Sequence, residues 1–199
     1  MIAARRMLLR LATLALSLPA AATAAQPPAS IATIVQFHTV CSNCHEGECS
    51  GRLSFDSGAA AARSHIERYL GTTNDVRVAA LFAMLRQVKE TCGHYPVVPI
   101  RQATGAWEAA ELAPWRNALA GAYFVPLGPL ATGRRQLRLE FNGAAEGSAR
   151  IDDDRMETAA DELLCGDTAK TVEFDATANT RYFLHLKAGE ALLLRISFR

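Results

Sequence analysis

Cys41-Ser42-Asn43-Cys44-His45 is the stretch of this chain with the most specific chemistry. Two thiols three positions apart on a helical turn, followed at once by an imidazole, form the C-x-x-C-H pattern of covalent haem attachment. The sulfurs add across the porphyrin vinyl groups and the histidine supplies a nitrogen to iron. A bare C-x-x-C also serves as a redox dithiol or as half of a zinc site. Zinc calls for a second cysteine pair, yet Cys49, Cys92 and Cys165 stand singly. An exchange dithiol calls for a preceding strand, whereas Ser30 reads as the cap of a helix that runs through Ile31, Ile34, Val35 and Phe37 into Cys41.

On Cys41, Cys44 and His45 the chain resembles the monohaem c-type cytochromes, over residues 30 to 95. The resemblance implies one covalent haem c and single-electron transfer, as a carrier or as a subunit docking on a redox partner protein. Two alternatives stay open: a haem-based ligand binder or sensor, and a small haem peroxidase. In the small cytochromes the second axial ligand is commonly a Met on a long loop between the last two helices. Here Gly71 to Asp75 is too short for such a loop and holds no Met. His65 therefore ranks first as distal ligand, ahead of Met84, His94 and an open position. His65 lies on one stripe with Ala62, Ile66 and Tyr69 of a helix expected over 58–70, and two axial histidines would give a low-potential haem. Arg52, in a Gly-rich loop after the motif, is a candidate clamp for a haem propionate. His38 precedes His45 on the same side of one helix, cannot reach the opposite face of the ring, and reads as a polar residue at the helix margin.

Several elements must hold these groups in place. Arg5, Arg6 and Arg10 lead into an apolar run ending at Leu18, then Pro19 and Ala22-Thr23-Ala24-Ala25, the pattern of a secretory leader over 1–25. General secretion is favoured over twin-arginine export, because haem attachment outside the cytoplasm needs an unfolded chain. A periplasmic or otherwise secreted location follows, and with it disulfide-permissive surroundings. The leader carries three arginines and no acid, so its removal turns the 21 basic and 20 acidic side chains of the 199-residue chain into a formal charge of −2. That balance disfavours nucleic acid as a partner, and no later stretch is long enough to span a membrane.

The expected fold class is α+β in two parts: a small all-α cytochrome c-like haem domain at 26–96, a linker with a short helix at 97–118, and an antiparallel β-sandwich at 119–199. A helix is expected between Asp75 and Cys92, on the stripe Val78, Leu81, Phe82, Leu85 and Val88. Cys49 paired with Cys92 would close the haem crevice, with Cys92–Cys165 and Cys49–Cys165 as the other pairings. Trp107 and Trp115 read as cement between the two parts. Beyond them Tyr123 and Val125, Leu137 to Phe141, Val172 and Phe174, Tyr182 to Leu186, and Leu192 to Phe198 alternate as strands do, with a turn at Asn142-Gly143. Tyr182 to Leu186 with Ala191 to Ile196 resembles the end of secreted jelly-roll modules of the pre-peptidase C-terminal type. Arg155 to Leu164 reads as a short helix, Asp152-Asp153-Asp154 as a hydrated turn rather than a calcium loop, and His185 as a surface residue offset from its strand's apolar set. No Ser/His/Asp or paired-carboxylate arrangement is recognisable in this half, so no catalytic residue is assigned.

Overall fold

The computed structural model describes residues 29–45, 58–94 and 105–199. Helices come first: α1 (Ile31–Gln36), a π-helical turn (Phe37–Cys41) and α2 (Ser42–His45), then a 3-10 turn (Ala59–Ala62) into α3 (Arg63–Leu70), and α4 (Asp75–Thr91). The caps follow the sequence. The Ser30 hydroxyl accepts from Thr33 N–H, Asn74 accepts from Arg77 N–H, and α3 stops at Gly71 with φ 71°. The π turn coincides with two hydroxyls that return to the backbone: Thr39 donates to the Val35 carbonyl and Ser42 to the His38 carbonyl.

The rest is one antiparallel sheet. Short β1 (Ala106–Glu108), α5 (Ala109–Leu112) and β2 (Arg116–Asn117) precede β3 (Ala122–Pro129), β4 (Gly133–Asp153), β5 (Thr158–Ala176), β6 (Arg181–Lys187) and β7 (Leu193–Phe198). The strand order is β1-β7-β4-β6-β3-β2, with β5 on β4. The long strand β4 organises it, pairing β7 along Leu137–Phe141 and β6 along Ser148–Asp153. Between those stretches the register with β5 shifts at Glu140/Ala145, so Asn142-Gly143 sits in an irregularity inside β4 instead of a hairpin turn. The sheet curls around Tyr123, Val125, Leu137, Leu139, Ile151, Leu184 and Leu186, all buried. Trp107 and Trp115 are buried in the same core.

This architecture corrects the expected two-part α+β fold. The strands form one curled sheet and not a sandwich of two, and the helices are not a self-contained all-α domain. Ile34, Phe37, Ile66, Val78, Leu81, Met84 and Val88 share a single core with Phe124 of β3 and Phe183 of β6, while Val35 joins the core inside the curl. The physical reason lies in strand phase. Phe124 and Phe183 point away from the curl, and two large aromatic rings on that outer face need a cover, which the helices supply. Arg155 to Leu164 is corrected too, since Thr158 onward is strand β5, paired antiparallel with β4.

Candidate functional site

The helical run Phe37 to Cys44 separates two chambers. On one side Phe37, Val40, Cys41 and Cys44 join His65, Ile66, Tyr69 and Leu70 of α3 and Leu81, Phe82 and Leu85 of α4 around an apolar crevice. Its empty space is about 560 Å³, open mouth included. Both thiols of the C-x-x-C pair therefore border one greasy space, Cys44 exposed and Cys41 half-buried. Burial, and then the neighbouring Cys44, push the Cys41 thiol up to about 11. A thiol that resists ionisation is poorly suited to disulfide exchange or to binding zinc as a thiolate. The lining, two thiols and a rim histidine around an otherwise apolar space, is of a chemical kind that suits a flat apolar macrocycle.

His65 is among the residues bordering this crevice, with its ring 5.1 Å from that of Tyr69, but it is exposed at the rim and not on a buried face as the stripe implies. Met84 is fully buried in the core between helices and sheet, as a packing residue is. His94 stands among the histidines of the other chamber. His45 closes α2. Arg52 and Cys49 lie outside the described residues, as does the leader. Cys92 is disulfide-bonded, and Cys165 is a free, exposed thiol, which corrects both pairings that used Cys165, with Cys92 and with Cys49.

The second chamber went unread in the sequence. His38 lies on the opposite side of the helical run from the thiols, 3% exposed, stacked on Phe124 with ring centroids 3.8 Å apart and edge-on to Phe37. His94 arrives from the end of α4: Cys92 adopts a left-handed conformation, φ 52°, and Gly93 passes so near the Asp154 carbonyl that a β-carbon would stand 2.6 Å from it. The His94 N–H then donates to that carbonyl at 3.3 Å. His185 comes from β6, directly opposite Phe124 of β3 and Arg150 of β4. The ligand atoms of His38, His94 and His185 all lie within 4.8 Å of one another. His185 and His38 thus correct two expectations, the surface strand residue and the polar helix margin. The available signal was phase, because His185 shares its strand face with Phe183, an aromatic that announces a covered face.

A buried carboxylate completes the cluster. Asp152 Oδ2 lies 3.3 Å from His185 Nε2, 3.9 Å from His94 Nε2 and 3.1 Å from Arg150 Nε, and Oδ1 accepts from the Thr158 hydroxyl at 3.0 Å. Asp153 Oδ1 caps the hairpin turn by accepting from the Arg155 and Glu157 N–H groups, so the triple-Asp stretch works inward and locally instead of merely being hydrated. Burial is the main cause that holds all three imidazoles neutral. It takes His94 down to about 3, with Arg150 and Arg181 adding to it. His38 and His185 are likewise held well below the ordinary range, His38 with help from His94, and His185 from His94, His38 and Arg150.

Among the described residues no helix is long and apolar enough to cross a membrane. No protein-family model matches the chain, and no curated protein matches it.

Proposed function

We propose that this chain is an exported electron-transfer protein carrying one haem c, bonded through Cys41 and Cys44 and ligated by His45. The observation that supports this best is the shared crevice: both thiols of a C-x-x-C-H motif border one apolar space together with a further histidine. A bound haem would supply one-electron redox chemistry. The residues would do the rest. Phe37, Ile66, Leu81 and Leu85 exclude water, Cys41 and Cys44 fix position, and the exposed side of Cys44 leaves an edge where a redox partner protein can approach. His65, at the rim of the same crevice, is the distal ligand of this reading.

The exposure of His65 supports a second reading, a haem-based ligand binder, because a rim histidine is easily displaced. The test is production in a host with working cytochrome maturation, followed by extraction with acidified acetone. Colour that stays with the polypeptide, and is lost in Cys41→Ser/Cys44→Ser, is the expected result. Complete extraction of colour from the unaltered chain overturns the proposal. Carbon monoxide then separates the two readings: a spectrum indifferent to the gas belongs to a carrier, and a rapid carbonyl adduct to a binder.

A further inference from the structure

We propose that His38, His94 and His185 form a binding site for a divalent first-row transition metal ion, separate from the crevice and independent of any haem. All four ring nitrogens of His38 and His94, and Nε2 of His185, are buried without a hydrogen-bond partner, although His185 Nε2 does face the Asp152 carboxylate. Buried polar atoms left unpaired each cost on the order of 1–3 kcal/mol, so native proteins seldom leave so many together. A cation that takes the lone pair of one nitrogen from each ring satisfies three of these five atoms together, and leaves the second nitrogen of His38 and of His94 as an N–H donor.

The donors suit such an ion. Three imidazole nitrogens favour zinc, copper, nickel or iron over calcium or magnesium, which take oxygen. Ligands around a tetrahedral zinc stand about 3.3 Å apart, given Zn–N bonds of roughly 2.0–2.1 Å. The present spread, up to 4.8 Å, therefore closes by modest turns of the rings. Three different elements deliver the ligands, and each carries a local irregularity or neighbour that aims its ring: the π turn for His38, the Gly93 contact for His94, the Phe124 pairing for His185.

Asp152 supplies negative charge beside the ion. Arg150 already holds the carboxylate oxygen that faces the histidines, so Asp152 acts as an orienting and charge partner, and the three rings are the ligands. A polar groove bordered by His38, Ser42, Tyr123, Arg150 and His185 leads in from solvent. It provides an entry path and a side from which water or a small anionic ligand can complete the coordination. Three histidines with a fourth position toward solvent is the composition of zinc sites that activate bound water.

The test uses the untagged full chain carrying Cys41→Ser/Cys44→Ser, so that crevice thiols cannot bind metal and a failed haem proposal leaves this one standing. After dialysis against chelator, Zn²⁺ is titrated calorimetrically, and Co²⁺ is followed by its visible absorption. The expected result is one equivalent bound, with a Co²⁺ spectrum free of thiolate charge transfer. His185→Phe, which suits the aromatic surroundings, and His94→Gln should each weaken Zn²⁺ binding by at least about 100-fold, ligand loss exceeding the 10–100-fold typical of an outer-shell partner. Far-UV circular dichroism and the urea midpoint verify that each variant is folded. Absence of saturable Zn²⁺ and Co²⁺ binding, or binding that both folded histidine variants retain, overturns the proposal.

Discussion

The two sides of one short helical run make opposite use of the same backbone. Toward α3 and α4 it presents Cys41 and Cys44 to an open, apolar crevice. Toward the sheet it presents His38 to a chamber of three histidines beside the buried Asp152 carboxylate, reached from solvent along a polar groove. The crevice is lined by residues 37–85 alone, neighbours close in sequence on consecutive helices. The chamber needs β3, β4 and β6, more than eighty residues further on, to be in register before it exists. It is therefore the chamber, and not the motif, that ties the helices to the sheet.

The largest expected effect is on acid stability. An unfolded histidine titrates near 6.5, and the native chamber holds its three rings neutral well below that, His94 to about 3. Below pH 6.5 the unfolded chain therefore binds protons that the folded chain refuses. Stability is full above that pH and falls as the pH drops from 6.5 toward the native values. Each ring that stays neutral costs about 2 kcal/mol by pH 5, and three together cost at most about 6 kcal/mol. Urea unfolding of the metal-free protein at pH 7, 6 and 5 should show this loss. His185→Phe should remove close to one proton from its slope. A stability that is flat over this range would break the contrast, because the three rings would then titrate alike in the folded and the unfolded chain.

The next effect is one of packing. Phe124 is fully buried, stacks on His38 and lies parallel to Phe183 with centroids 5.5 Å apart, so it bridges sheet, helix and chamber. Phe124→Ala should cost about 3–5 kcal/mol. Leu85→Ala, a half-buried crevice wall, should cost nearer 1 kcal/mol because less apolar area leaves contact. Equal losses for the two, measured by urea denaturation at pH 7, would mean that crevice and chamber carry the fold alike.

What could be read from sequence follows the same line. The caps at Ser30 and Asn74, the stop at Gly71 and the stripe of α4 are local signals, and the thiol pair is a motif whose spacing carries its own geometry. The alternation of β3, β6 and β7 was equally visible. The curl of the sheet was not, because it depends on the register shift within β4, which period-2 alternation does not encode. The chamber was missed for a related reason. His38, His94 and His185 each look unexceptional alone, since each faces something contributed by another element. The one overlooked clue was that Phe124 and Phe183 share the phase assigned to solvent, which should have moved His185, and with it Asp152, to a covered face.

The smallest effect tests the helical run itself. Ser42, buried within the Cys-x-x-Cys motif, donates its hydroxyl to the His38 carbonyl at 2.6 Å, across the turn where the helix widens. Ser42→Ala removes that bond and should cost about 1 kcal/mol in urea, the net worth of one intramolecular hydrogen bond. Its consequences should be unequal on the two sides. If the chain carries the haem proposed above, its attachment would be covalent and the thiols keep their spacing, so colour should still resist acidified acetone. The chamber depends on where His38 sits against Phe124, so Zn²⁺ affinity should fall by about tenfold, the lower range of losses when a supporting partner is removed. Haem loss with unchanged Zn²⁺ binding would reverse the assignment, making the widened turn a device for the crevice and leaving His38 held by its stacking alone.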